Sequence, residues 1–267
     1  MVAEPEVPLA GGSHSAAVWV GRTVRRVRRP WSSAALDLLR HLERAGFAGA
    51  PRAVGFDDRG REVVSYLDGE SGAPLPERDA GPVPDDHWVR RDDVLVGLGV
   101  LLRGFHDAAA TFSGTDLEWQ VPTRRPVETI CHNDLSPGNV LFRAGLPVAF
   151  VDWESAAPGP RAWDLGYAAW HWVPLWSEGR SRAAGLPTEV AEKARRYRLL
   201  LAAYGVEPHI DVLRTGIERL RQYLDHLRGL VATGSEWEVR MARRGLLDDM
   251  ARDIAWTQEH AAALTAP

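Results

Sequence analysis

The chain has 267 residues, 45% hydrophobic and 25% charged, with a net charge of −4; this is ordinary globular usage, enough for one large domain or two lobes, and it offers nothing to attract nucleic acid. Its one cysteine, Cys131, excludes an internal disulfide and a cysteine-based zinc site, which suits a reducing compartment. The beginning, "MVAEPEVPLAGG", is unlike a secretory signal and no apolar run is long enough to cross a bilayer, so the protein is expected in the cytoplasm and off the membrane.

The first predicted elements are strands. "AAVWV" and "TVRRV" flank Gly21 and Arg22, a two-residue connection that suits a β-hairpin. "WSSAALDLLRHLERAGF" follows with apolar positions at Ala35, Leu38, Leu39 and Leu42, cap candidates at Ser32 and Ser33, and a stop at Gly46, which predicts one amphipathic helix. "RAVGF" and "EVVSYL" around the turn "DDRG" complete a pattern of strand, strand, helix, strand, strand. From Asp68 to Asp86 the chain is rich in Pro, Gly and charge without periodicity, so the lobe boundary is placed at the start of this stretch: 1–67 form a small N-terminal lobe and 68–267 a larger one.

Beyond the linker the chain turns helical. Val94, Leu98, Leu101, Phe105 and Ala109 share one face of a helix beginning near Asp93. The Trp-rich "AWDLGYAAWHWVPLW" and long amphipathic segments follow. Aromatic clusters are usually core, so Trp170, Trp172 and Trp176 read first as packing and only second as a surface on which a ring could stack.

Between these regions lies "ETICHNDLSPGNVLF", Glu128 to Phe142, which carries a His, two Asn, an Asp and a Ser between apolar runs. Val140 to Phe142 and Val148 to Val151 read as an antiparallel hairpin joined by "RAGLP", and antiparallel pairing sets the start of one strand beside the end of the other. Asn139 therefore neighbours Asp152, an amide oxygen beside a carboxylate, both hard ligands suited to Mg²⁺. Asp134 stands five positions upstream as a spare carboxylate. Phosphoryl transfer needs this combination: a metal to neutralise the phosphates and an Asp to orient the acceptor hydroxyl and take its proton. His132, Asp134 and Asn139 keep the spacing of the kinase catalytic loop HRDxxxxN, with Asn133 in place of Arg, and "DWE" stands where DFG would be. A polar turn would explain any one of these residues, but not oxygen ligands supplied at kinase spacing by both a loop and a strand end.

"HNDLSPGNVLF" followed by "FVDWESAAPGPRAWDLGY" resembles the aminoglycoside phosphotransferase family, small-molecule kinases with the protein-kinase-like fold. The resemblance is strong from about Thr129 to Tyr167 and weak through the N-terminal lobe. It implies an α+β, protein-kinase-like bilobal fold, with a small antiparallel sheet and one helix in a nucleotide-binding lobe, and a larger, mainly helical lobe for catalysis and acceptor binding. It implies Mg²⁺ and ATP or GTP as cofactors and a small hydroxylated acceptor, an antibiotic or a metabolite. In the catalytic set Asp134 would be the base and His132 the orienter of its loop, with Asn139 and Asp152 as metal ligands. Asp164 in "AWDLGY" resembles the family's buried Asp, which braces the catalytic loop. "GGSHSAAV" would lie over the phosphates, although it lacks the three-glycine pattern, and "VVSYLDG" looks like the hinge, with the Ser65 carbonyl and the Leu67 amide facing the adenine.

The chain departs from kinases of this fold in one respect. Their third-strand Lys, paired with a helix Glu, binds the phosphates, yet the only lysine here is Lys193 in the C-terminal half. Either Arg25 or Arg26 is expected to take that place, and strand parity decides which. The helix offers Ala35 near the expected Glu, with Asp37 and Glu43 as imperfect substitutes. These gaps motivate the alternative of a nucleotide-binding pseudokinase without turnover. A metal-dependent hydrolase ranks below both, because no second His-rich motif supplies zinc ligands. From Asp152 to Pro267 there are 16 acidic against 15 basic residues, so no acidic excess marks a site for a polycation.

Overall fold

The computed structural model describes residues 5–9, 17–72, 81–207 and 210–266. After β1 (Val7–Pro8), strands β2 (Val18–Val20) and β3 (Thr23–Arg26) form the expected hairpin. Its tight turn is possible because Gly21 adopts φ 58°, a conformation that costs a residue without Cβ little. Helix α1 (Ser32–Arg44) buries Leu36, Leu38, Leu39 and Leu42, each worth about 1.5–3 kcal/mol of transfer free energy. Its start differs from expectation. Trp31 is the N-cap, and Ser32 sits inside the first turn, where its Oγ accepts from the Arg29 amide.

Strands β4 (Ala53–Phe56) and β5 (Glu62–Ser65) complete an antiparallel sheet in the order β1-β2-β3-β5-β4, so β5 is an interior strand. β6 (Glu70–Ser71) belongs elsewhere, pairing with the later hairpin. Helix α2 (Asp92–Ala109) buries Val94, Leu98, Phe105 and Ala109 as predicted, with Leu102 taking the buried position expected for Leu101. After β7 (Thr129–Cys131), β8 (Val140–Arg143) and β9 (Leu146–Phe150) form the predicted hairpin. The turn is shorter than "RAGLP", only Ala144 and Gly145, both at positive φ. β10 (Ala157–Gly159) pairs back on β7.

Helices make up the remainder: α3 (Arg161–Trp172), α4 (Glu178–Ala183), α5 (Val190–Tyr204), α6 (Val212–Ala232), α7 (Glu236–Arg243), α8 (Leu246–Glu259) and α9 (Ala261–Thr265). The described residues are thus α+β, with antiparallel sheets and a helical majority. No helix among them is long and apolar enough to cross a membrane.

The chain divides into two compact units. The first comprises Met1–Ser71, Gly104–Asp134 and Gly138–Arg161. Its core stacks Phe105 against Phe47, Phe150 and Trp153 at centroid distances of 6.0, 6.1 and 4.9 Å.

The second unit comprises Gly72–Arg103, Leu135–Pro137 and Ala162–Pro267. Here α3 crosses α6 backbone to backbone: a Cβ on Gly166 would lie 2.4 Å from Gly216 Cα. Trp170, Trp172 and Trp176 are core, as first expected, and Trp172 packs at 4.4 Å on Trp88 while its Nε1 donates to the Leu135 carbonyl.

A buried ionic cluster lies in the same unit. Asp253 is fully buried and accepts from Arg180, the Ser177 amide and Trp170 Nε1. Lys193 Nζ donates to the Trp176 carbonyl and, at 2.7 Å, to Ser181 Oγ, and lies 4.3 Å from the Trp256 ring. Burial pulls the Lys193 amine down to about 8, against the attraction of Asp253.

Candidate active site

The polar loop after β7 and the end of β9 form a single constellation in the first unit. Phe150 pairs with Val140, and the Val151 amide donates to the Asn139 carbonyl at 2.9 Å, so Asn139 and Asp152 are neighbours as the hairpin argument requires. Asn139 Nδ2 donates to the Asp134 carbonyl at 3.1 Å and to Asp134 Oδ2 at 2.7 Å. With its amide nitrogen committed, Asn139 keeps its side-chain oxygen as the atom available to a cation. That oxygen and the Asp152 carboxylate form a hard-oxygen donor set that fits Mg²⁺, which is normally held by one or two protein oxygens together with substrate phosphates.

His132 lies beneath the loop, fully buried between the Phe150 and Trp153 rings. Its Nδ1 accepts from the Asp134 amide, so the ring proton is on Nε2, which donates to the Val151 carbonyl at 3.0 Å. One ring thereby ties the catalytic loop to the strand end that carries Asp152. Asn133 Nδ2 adds a bond to the Ser155 carbonyl. Asn133 at φ 64° and Asp152 at φ 63° are both left-handed, an arrangement that costs non-glycine residues free energy and that recurs at functional sites. Trp153, in the position of the DFG phenylalanine, is fully buried and anchored by Nε1 to the Phe150 carbonyl.

Strand parity separates the two arginines. Arg26 is nearly buried and its guanidinium spans two carboxylates, Nη1 to Asp152 Oδ1 at 2.5 Å and Nη2 to Glu62 Oε1 at 3.0 Å. Burial opposes its charge, but Glu62 and Asp152 outweigh that and hold the guanidinium above its ordinary value. Arg25 points to the other face of the sheet and is held by Asp57 at 3.5 Å.

Glu62 was not among the expected site residues. The signal that reveals it is register: it stands directly opposite Arg26 in the β3–β5 ladder. The helix carboxylates are engaged elsewhere, Asp37 with Arg40 at 2.8 Å and Glu43 with Arg52 at 3.2 Å. Glu154, two residues past Asp152, has its carboxyl pushed up by burial and by Asp152, with Arg26 and Arg29 pulling the other way.

At the expected hinge, the Ser65 amide donates to the Arg52 carbonyl and Ser65 Oγ takes the Arg52 amide, both at 2.8 Å. The Arg52 amide is thus satisfied by the Ser65 side chain. Leu67 follows two positions on, with the same strand parity. The glycine pair expected over the phosphates, Gly11 and Gly12, falls outside the described residues. Asp164 is fully buried, and its charge is met within the second unit by Arg219 at 3.6 Å.

The family model described as "Phosphotransferase enzyme family" matches residues 115–200. The chain is 36% identical over 208 residues to the trifolitoxin immunity protein of Rhizobium leguminosarum bv. trifolii, covering 75% of this chain and 74% of that protein. Among solved structures, the GDP complex of wild-type aminoglycoside 2′-phosphotransferase-IIIa superposes with a TM-score of 0.56 at 16% identity, covering 96% of this chain and 94% of that one. The streptomycin–ATP complex of APH(2″)-IIa gives 0.55 at 14% identity, covering 90% and 91%. These structural likenesses establish the protein-kinase-like fold.

Proposed function

Because the chain belongs to the aminoglycoside phosphotransferase family and is a phosphotransferase enzyme, we propose that it moves the γ-phosphate of ATP or GTP to a hydroxyl of a small antibiotic or toxin in the cytoplasm. Residues 1–67 serve as the nucleotide lobe and 68–267 carry the catalytic loop and the acceptor side. The observation that carries the reading is the convergence of Asp134, Asn139, Asp152 and Arg26 through contacts of 2.5–3.1 Å, with His132 fixing the loop beneath them.

Asp134 has one carboxylate oxygen bonded to Asn139, which orients the other to receive the acceptor's hydroxyl proton. The acceptor oxygen then bonds to the γ-phosphorus as the bridge to the β-phosphate breaks, and the nucleoside diphosphate leaves with that electron pair. Asn139 Oδ1 and Asp152 would hold Mg²⁺, which when bound would neutralise phosphate charge. Arg26 takes the phosphate contact that a third-strand Lys makes in kinases. The Ser65 carbonyl and the Leu67 amide receive the base edge.

The relative's name concerns immunity to trifolitoxin, and several structural neighbours bind aminoglycosides. Both support an antimicrobial acceptor, and the even balance of acidic and basic residues after Asp152 favours one that is not a polycation. A screen of hydroxylated antibiotics and toxins for acceptor-dependent ADP or GDP release tests the proposal. Nucleotide binding with no turnover on any of them would favour the pseudokinase reading instead.

A further inference from the structure

The geometry points to Glu62 as the positioning residue for Arg26, replacing the helix glutamate of kinases with a strand carboxylate; this rests on the reading of Arg26 as the phosphate ligand. Three observations carry it. Glu62 is 5% exposed and faces Arg26 across the β3–β5 ladder, so the backbone register alone brings the pair together. Helix α1 offers no competing partner, since Asp37 and Glu43 are each paired with other arginines. The third is that the guanidinium is shared, with Nη2 on Glu62 and Nη1 on Asp152.

A planar fork can hold both carboxylates at once, which an ammonium point charge on a lysine stem does less well, and this gives a physical reason for arginine at the position. The two bonds have different fates. Asp152 is the proposed metal ligand, so its carboxylate cannot serve both the cation and Nη1 at full strength. Glu62 keeps Nη2 throughout, and the guanidinium pivots about that bond to bring Nη1 to the phosphates.

The strand origin of the carboxylate has a regulatory consequence. Where a helix supplies the glutamate, movement of that helix makes or breaks the ion pair and switches activity. Glu62 sits on β5, hydrogen-bonded to β3 on one side and β4 on the other, so assembly of the Arg26–Glu62 pair does not depend on the position of a helix.

A double-mutant cycle on nucleotide affinity tests the inference. Mg²⁺-nucleotide binding is titrated calorimetrically for wild type, Glu62→Gln, Arg26→Met and the double variant, with thermal unfolding followed in parallel. If Glu62 acts only through Arg26, Arg26→Met raises Kd by about 10²-fold and Glu62→Gln by about 10-fold, while the double variant matches Arg26→Met within about 2-fold. Glu62→Asp, which restores the charge, recovers part of the loss. Additive losses, or no effect of Glu62→Gln, overturn the role of Glu62. An unchanged Kd in Arg26→Met overturns instead the phosphate reading beneath it. Arg26→Gln, which keeps donors but not the charge, replaces Arg26→Met in the cycle if the latter fails to fold.

Discussion

The two compact units each bury ionic groups, and the stoichiometry differs. In the first, a single nearly buried guanidinium, Arg26, is shared by Glu62 and Asp152, with Glu154 close enough for its carboxyl to be pushed up. In one cluster of the second, the fully buried carboxylate of Asp253 faces Arg180 and attracts Lys193, and its remaining capacity is filled by Ser177 and Trp170. The Lys193 amine is likewise satisfied by a carbonyl, a hydroxyl and an indole face. Buried charge is tolerated when fully paired and hydrogen-bonded. The helical cluster meets that condition by itself. The cluster around Arg26 carries more carboxylate than cation, as the proposed Mg²⁺ site requires.

The contrast is broken most forcefully at the catalytic loop. Asp134→Asn is expected to lower kcat by about 10² to 10⁴ while leaving Mg²⁺-nucleotide affinity nearly intact, whereas Asp152→Asn weakens Mg²⁺-dependent binding and turnover together. Calorimetry with and without Mg²⁺ alongside single-turnover rates separates the two, and the reverse pattern would exchange their roles.

Asp253→Asn should act in the opposite sense. Burial pushes the Asp253 carboxyl up while Arg180 and the Ser177 amide oppose that, and removing this carboxylate from Arg180 and Lys193 is expected to cost up to about 3 kcal/mol of stability, seen as a lowered denaturation midpoint, with nucleotide affinity of the folded fraction preserved. An unchanged midpoint would mean that the cluster is not what stabilises the helical unit.

A graded effect belongs to His171. Its Nε2 is buried without a partner, and burial with the nearby Arg180 and Arg219 charges pulls the imidazole down to about 3. The folded state therefore binds fewer protons than the unfolded one between pH 6.5 and 3, so stability falls as pH drops through that window, by up to about 1.4 kcal/mol per pH unit. His171→Phe should flatten the dependence, and an unaltered slope in urea titrations would locate the acid sensitivity elsewhere.

The smallest change is expected from Arg25→Ala. With its guanidinium on Asp57, its loss should alter nucleotide Kd by less than about 3-fold, and a loss equal to that of Arg26→Met would contradict the parity of β3.

What could be read in advance followed from how locally each feature is determined. The loop from His132 to Asn139 and the turn into Asp152 lie on one short hairpin, where spacing along the chain translates almost directly into spacing in space. Helix α1 was legible from its leucines, but its cap was not, because Ser32 and Trp31 compete for one position and backbone geometry decides. Choosing between Arg25 and Arg26 required the face of a strand whose neighbouring residues both look alike in sequence. Glu62 is not legible in the sequence because its meaning depends on the β3–β5 register, a contact across 36 residues that no periodicity announces.

Lys193 turns this architecture into a built-in chemical reporter. It is the sole lysine in the sequence, a buried residue whose amine is hydrogen-bonded among helices of the second unit. An acylating reagent can reach that nitrogen only when the surrounding helices part. The rate at which an amine-directed probe labels this position, followed by peptide mass, therefore measures how often the bundle opens, free of background from other lysine side chains.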